Sequence, residues 1–318
     1  MVVGNERCVG LGEVAEQWLR SMKLRIKESS YVKYHNLLRN PILPEFRDVD
    51  VRELTTERVE EFVMKMLADG KCGGKGGLSE KTVRDMIAVL KGICLYAARR
   101  NIVIPCRFEL IRLRLPKGNV QILAENDQRR LEDFLMHDDS LLKTGVLMSL
   151  YMGLRLGEIC ALKKKNIRQR ERILQVRLTM QRIQNLEEES RSRTKIVVTE
   201  PKSESSVRDI PIPAFLARRL EALEYAPSDA YILTGSEERF VEPRTMENIF
   251  RRYLRECQVE EINYHALRHT FATRCIEKGF DVKSLSEILG HANVNITLNR
   301  YVHSSMEQKR KYMESLML

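Results

Sequence analysis

Along the N-terminal third of the chain, apolar residues recur every three or four positions, the period of a helix with one buried face. Leu11, Val14, Ala15, Trp18 and Met22 form one such stripe and predict a helix over 11–24. A second is predicted from Ser30 to Leu38, ended by Asn40-Pro41, because proline lacks an amide donor and its ring crowds the preceding turn. Thr55 and Thr56 precede a third, with Val59, Val63, Met66 and Leu67 inward. A glycine-rich loop, Asp69 to Gly77, separates it from a fourth helix that Ser79 is placed to cap, with Val83, Ile87, Leu90 and Cys94 inward. Four short helices make an all-α bundle over residues 1–105. Such a bundle can grip a partner but carries no evident chemistry.

Residues 106–121 break the pattern and read as an interdomain linker, closed by Pro116-Lys117-Gly118. From Ile122 helices resume. Leu141 to Tyr151 is strongly apolar and stops at Gly153, which predicts a buried helix with a glycine terminus. The period then changes. Ile173 to Leu178, Lys195 to Val198 and Val207 to Ile212 read as strands of one small antiparallel sheet. The polar stretch Glu187 to Arg193 fits a hairpin tip, and Pro201 to Ser206 fits the next turn, placing Lys202 at the end of a hairpin. Helices return at 214–223 and 243–256 and continue to the C-terminus. The expected fold is mainly α: a helical bundle, then a mainly helical domain over 122–318 with a small sheet.

Composition narrows the partner. The length of 318 residues favours two domains, and 43% hydrophobic content supports real cores. A net charge of +10 and a pI near 9.3 favour a polyanion. No apolar run approaches the roughly 18 residues that span a bilayer. The N-terminus lacks the basic-then-apolar order of a signal peptide. Nucleic acid in the cytoplasm is the favoured setting. The seven cysteines are scattered, with no Cys-x-x-Cys pair, so neither a disulfide framework nor a zinc site is expected. With nucleic acid as partner, Lys71 and Lys75 of the glycine-rich loop and Arg112, Arg114 and Lys117 of the linker become candidate phosphate contacts. The plainer reading of both segments is a solvated connection. Arg208, Arg244 and Thr245 are further candidates for DNA contact.

The candidate chemistry lies towards the C-terminus. His265-Ala266-Leu267-Arg268-His269 is followed by Leu289-Gly290-His291 and, ten residues after His291, by Tyr301. Upstream stand Gly153-Leu154-Arg155-Leu156-Gly157-Glu158 and Thr199-Glu200-Pro201-Lys202-Ser203. A phenol among fixed cations suits attack on a phosphodiester, where negative charge spreads over non-bridging oxygens and a poor alkoxide leaves. Arg155 and Arg268 are the candidate clamps, because a planar guanidinium matches phosphate and stays charged. Each such donor is typically worth ~3–4 kcal/mol in the transition state. An unperturbed phenol is ionised only about one part in a thousand at pH 7. Two neighbouring arginines are expected to make the phenolate accessible, or His265 takes the proton. Lys202 is the candidate general acid, and His291 a donor to a phosphate oxygen. Glu158 is expected to orient an arginine.

These motifs closely resemble the signature of the tyrosine recombinases, the lambda-integrase family. His265-x-x-Arg268, Leu289-Gly290-His291 and Arg300-Tyr301-Val302-His303 resemble its C-terminal motifs. Gly153 to Glu158 resembles its first arginine motif, and Thr199 to Ser203 with Arg208 to Pro213 its catalytic-lysine hairpin. Five motifs in the right order are specific where each alone is weak, and the likeness spans essentially the whole chain. The resemblance implies a core-binding, SAM-like bundle at 1–105 and a catalytic domain of the DNA breaking-rejoining fold at 122–318, closing around duplex DNA. It implies a 3′-phosphotyrosine at Tyr301, a released 5′-hydroxyl, and four protomers on two recombination sites. No cofactor or metal is implied. Ser305-x-x-Gln308 predicts a final helix that docks on a neighbour through Met306, Met313 and Leu316, or folds back in cis.

Within that family the glycine-rich loop and the polar stretch at 184–195 look more like integrases of Gram-positive conjugative transposons and phages. Excision or host architectural proteins are then possible partners. Such integrases often carry an arm-site-binding domain before the bundle. The chain starts directly with the bundle, so it is expected to be truncated or to act without arm sites. The alternatives are a Xer-type chromosome dimer resolvase, a DNA-binding regulator without catalysis, and a relaxing topoisomerase of the related tyrosine class.

Overall fold

The computed structural model describes residues 9–71, 76–113, 120–187, 190, 192–201, 203–301, 306, 310, 313 and 314. They fall into two compact units, residues 1–118 with 186–188, and residues 119–185 with 189–318. In the first unit, α1 (Leu11–Met22), α2 (Glu28–Leu37), α3 (Leu43–Phe46), α4 (Thr56–Asp69) and α5 (Glu80–Ala98) surround one core. Its centre is aromatic: Phe46 meets Phe62 edge-on at 4.9 Å, and Trp18 stacks on Tyr34 at 5.6 Å. Burying a side chain such as Phe46 or Phe62 is worth about 1.5–3 kcal/mol. The caps are those the residues suggest. Thr55 accepts from the Arg58 amide at 3.3 Å, and Ser79 from the Thr82 amide at 3.2 Å.

Pro41 does not end the second helix. The chain runs from α2 through a wider π-type turn, Leu38–Ile42, into α3. The Leu43 amide donates to the Leu38 carbonyl, five residues back. A widened turn gives the proline ring room and asks no donor of it. Leu38, Ile42, Leu43 and Phe46 are all buried, and their packing keeps the chain helical past the proline.

The second unit is built on α7 (Leu141–Met152), buried on nearly every side, as its apolar composition predicts. Around it lie α6 (Glu125–Met136), α8 (Leu156–Ala161), α9 (Ala214–Leu220), α10 (Pro243–Glu256), α11 (His265–Glu277), α12 (Val282–Leu289) and α13 (Val294–Tyr301). The strands do not form the single sheet expected. β1 (Ile167–Arg168), β2 (Ile173–Val176) and β5 (Arg208–Pro211) make one antiparallel sheet in the order β1-β2-β5, with Leu174 opposite Ile210. β3 (Thr179–Gln184) and β4 (Thr194–Thr199) make a separate hairpin, with Thr179 opposite Thr199. The chain changes sheets at Arg177-Leu178, where Arg177 donates to the Arg208 carbonyl at 2.9 Å. β4 and β5 therefore belong to different sheets and do not pair as a hairpin.

Candidate active site

Gly153 ends α7 in the left-handed conformation, φ +64°, and a Cβ there would lie 2.6 Å from the Phe271 ring. This tight turn delivers Arg155 to the start of α8. Glu158, one turn in, accepts from the Arg155 amide at 2.9 Å and from the Arg155 guanidinium at 2.7 Å. The same carboxylate accepts two bonds from Arg208, at 3.0 and 2.9 Å. Glu158 is 2% exposed. Burial pushes its pKa up, but the Arg208 hydrogen bonds and charge, then Arg155, hold it down at about 2. It stays an anion that fixes two guanidiniums, as expected of it.

Arg268, on α11, is among the largest fully buried side chains of the described residues. It donates to the Gly153 carbonyl at 2.8 Å and to the Leu289 carbonyl at 2.6 Å. Arg155 reaches the next carbonyl, Gly290, at 3.4 Å. The two clamps are thus hung from the ends of α7 and α12. Gly290 makes that possible: it sits at φ +64°, and a Cβ would lie 2.9 Å from both the Arg208 side chain and the Ser205 carbonyl. Arg155 and Arg208 share one carboxylate, Glu158, and Arg268 donates to carbonyls alone. Exposed Arg300, at the end of α13, adds its charge to the same field. The cluster therefore carries excess positive charge in a desolvated setting, where an anion is held strongly.

Three imidazoles register that field. Burial, then Arg268, Arg155 and Arg300, push His291 down to about 3; its Nδ1 lies 2.8 Å from the Thr297 hydroxyl. His265 keeps an exposed edge, but desolvation of the rest of its ring and the charges of Arg268 and Arg155 bring it to about 4. His269 is buried and lowered to about 4 by burial, then by His265, Arg300 and Arg268. All three are neutral at pH 7. Tyr301 closes the site from α13, packed with Ala272, Cys275, Leu285 and Leu289. Its hydroxyl lies 2.6 Å from His269 Nδ1 in the same chain. Burial raises the phenol pKa, and this outweighs the lowering by Arg268, Arg300 and Arg155. Burial therefore holds the phenol protonated in the free protein.

The chain as a whole is similar to known proteins. Residues 120–308 match the phage integrase family, and residues 11–67 match its N-terminal SAM-like domain. The chain belongs to the phage integrase family. Its members are tyrosine recombinases, enzymes that transfer DNA strands. A XerC-like tyrosine recombinase of Caldanaerobacter subterraneus is 25% identical, over 97% of this chain and 83% of the relative. The ICEBs1 integrase of Bacillus subtilis is 22% identical, over 98% and 83%. The fold matches the Tn1549 transposon integrase, solved with transposon right-end DNA, at a TM-score of 0.78 and 20% identity, covering 98% of this chain and all of that one. It also matches a lambda integrase dimer on a core site, at a TM-score of 0.66 and 14% identity, covering 94% and 97%.

The structure brings Arg155, His265, Arg268, His291 and Tyr301 into one site. Lys202 lies outside the described residues, as do Lys75, Arg114, Lys117, the predicted capping box at Ser305 and Gln308, and Leu316. Met306 and Met313 are described, and exposed. Arg208 is not a DNA contact: it is buried, and its guanidinium is taken up by Glu158 and by the Ile288 and Ser206 carbonyls. Lys71 and Arg112 are exposed in the first unit. Arg244 and Thr245 are exposed at the start of α10, where the Thr245 hydroxyl donates to Glu242 at 3.4 Å. His269, which the motif reading takes as structural though able to touch the site, is in contact with Tyr301. The signal was present, since His269 follows His265 by one helical turn and must share its face. Among the described residues no group of His, Cys, Asp or Glu is arranged to hold a metal, and no helix is long and apolar enough to cross a membrane.

Proposed function

We propose that this chain is a site-specific integrase that cuts and rejoins duplex DNA through a 3′-phosphotyrosine at Tyr301, inserting and excising a mobile element. The observation that carries the proposal is the cluster in which Arg155 and Arg208 both bond the Glu158 carboxylate, while Arg268, bonded only to backbone carbonyls, adds its charge beside the Tyr301 phenol. A phosphodiester supplies the missing negative charge. In this reading Arg155 and Arg268 hold the non-bridging oxygens, with neutral His265 and His291 as donors beside them. Lys202 protonates the departing 5′-oxygen. The energy of the broken ester is kept in the phosphotyrosine, so the 5′-hydroxyl of a partner strand can reverse the step without ATP.

The domains then divide the work, with 1–105 gripping the core site, 106–121 passing near phosphates and 122–318 doing the chemistry. Lys71, Lys75, Arg112, Arg114, Lys117, Arg244 and Thr245 are the proposed backbone contacts. Four copies on two duplexes complete the exchange in the cytoplasm, at the nucleoid, with excision or host architectural proteins as possible partners. Similarity to the ICEBs1 and Tn1549 integrases supports a mobile element; similarity to a XerC-like recombinase supports the second reading, resolution of chromosome dimers.

The test is covalent capture. Wild-type protein incubated with a randomised duplex pool should yield SDS-resistant protein–DNA adducts, and sequencing the captured DNA should return a site. Tyr301→Phe should yield none while still shifting that site in a gel. Adducts from Tyr301→Phe in wild-type amount would move the nucleophile elsewhere.

A further inference from the structure

The Tyr301 hydroxyl lies 2.6 Å from His269 Nδ1, a hydrogen bond between the candidate nucleophile and an imidazole of its own chain. From it we infer that His269 is the general base of strand cleavage, taking the phenolic proton as Tyr301 attacks. The inference rests on the recombinase reading above.

Geometry places the imidazole for this. His265, Arg268 and His269 occupy one face of α11, at i, i+3 and i+4. The His265 ring stands edge-on to His269 at 4.5 Å, and the His269 and Tyr301 rings are 5.7 Å apart. Packing of Tyr301 against Ala272, Cys275, Leu285 and Leu289 holds the phenol at that distance. The state of each partner fits. His269 is neutral and has a nitrogen free to accept, while burial keeps the phenol protonated and in need of an acceptor. In this arrangement the phenol donates to Nδ1 and the ring proton sits on Nε2.

The charges around the pair add a condition. His265, Arg268 and Arg300 face His269, and Arg268, Arg300 and Arg155 face Tyr301. Their positive field opposes an imidazolium in the free protein. A bound phosphodiester brings the negative charge that relieves this opposition, so proton transfer waits for DNA. In the step, the Tyr301 O–H bond breaks and its proton passes to His269 Nδ1. The oxygen lone pair forms the bond to phosphorus, the P–O5′ bond breaks, and the 5′-oxygen takes its proton from the general acid assigned to Lys202. On rejoining, the 5′-hydroxyl gives its proton to the now neutral Lys202 as its oxygen attacks phosphorus, the bond from phosphorus to the Tyr301 oxygen breaks, and His269 returns the proton to the departing phenol.

The experiment uses full-length protein and nicked suicide duplexes made from the captured site, with single-turnover cleavage followed against pH. His269→Ala should bind DNA as wild type does but cleave about 100-fold more slowly at pH 7, with recovery on raising the pH or adding imidazole. His269→Asn, which offers an oxygen acceptor but takes no proton, should remain slow. A 5′-bridging phosphorothiolate should rescue Lys202→Ala and leave His269→Ala slow. Because His269 is buried, a second measurement needs no substitution there: two-bond 15N–1H correlation spectra of the free protein should show His269 neutral with its proton on Nε2, and Tyr301→Phe should shift Nδ1. The inference is overturned if His269→Ala cleaves within about threefold of wild type, if His269→Asn restores the full rate at pH 7, or if the ring proton sits on Nδ1. If wild-type protein forms no adduct with any DNA, it is the recombinase reading that fails.

Discussion

Glu158→Gln is the substitution that most sharply tests the electrostatic design of the site. The side chain keeps its shape and can still accept from the Arg155 amide, but the carboxylate that fixes Arg155 and Arg208 is gone. Removing one partner of a buried pair leaves the other charge uncompensated and costs about 3–5 kcal/mol. The depressed pKa of Glu158, about 2 against an ordinary 4.5, points to a similar size; at about 1.4 kcal/mol per unit it corresponds to roughly 3 kcal/mol. Because the folded-state pKa is lowered, this stability is complete above pH 4.5 and is lost as pH falls towards 2. For a domain of this size, a shift of roughly 2–4 °C per kcal/mol gives a fall in Tm of about 6–20 °C. The assay is calorimetry of the full chain at pH 7, with and without sulfate. Sulfate should stabilise Glu158→Gln more than wild type, since the anion replaces part of the missing charge. Arg208→Met in the Glu158→Gln background should recover most of the loss, because it removes the orphaned cation. A Tm within about 2 °C of wild type, with no added benefit from sulfate, would refute the idea that Glu158 is the charge on which the cluster depends.

The other predictions are more local. Gly290→Ala should cost at least about 1–3 kcal/mol and lower DNA cleavage more than DNA binding, because the left-handed backbone and the contact with Ser205 both resist a Cβ; urea unfolding with gel shifts measures both. Acidification should destabilise the catalytic unit from about pH 6.5 downwards, since His269 and His291 stay neutral when folded, to about 4 and about 3, but charge when unfolded. Each contributes a slope of up to about 1.4 kcal/mol per pH unit, which bound phosphate should flatten; a stability flat between pH 6.5 and 4 would contradict the shifts. Lys202→Ala should slow cleavage of an ordinary duplex by about 100-fold or more and cleave a 5′-bridging phosphorothiolate near the wild-type rate. If sulfur gives no rescue, Lys202 is not the acid.

Local chemistry was legible in the sequence, and long-range direction was not. The stripe at Leu11 to Trp18, the Ser79 cap and the glycine stop at Gly153 each follow from neighbours a few residues apart, and each is found. Pro41 was misread because the local rule assumes an α-turn, whereas burial of Leu38, Ile42 and Phe46 favours a wider one. The strands were found but not their partners, since register between β2 and β5 is set by packing across more than thirty residues. The same limit applies to Arg208. Its sequence neighbours suggest a surface cation, and only its pairing with Glu158, fifty residues away, turns it inward. The burial of Tyr301 is likewise invisible in a motif, and it makes the proton acceptor matter.

The account stands most directly on the identity of one covalent bond. Adducts trapped on the captured duplex, digested with trypsin and nuclease and sequenced by mass spectrometry, should carry the nucleotide on Tyr301, with the DNA joined through its 3′-phosphate and a free 5′-hydroxyl on the other strand end. A nucleotide on any other residue, or attachment through a 5′-phosphate, would contradict it.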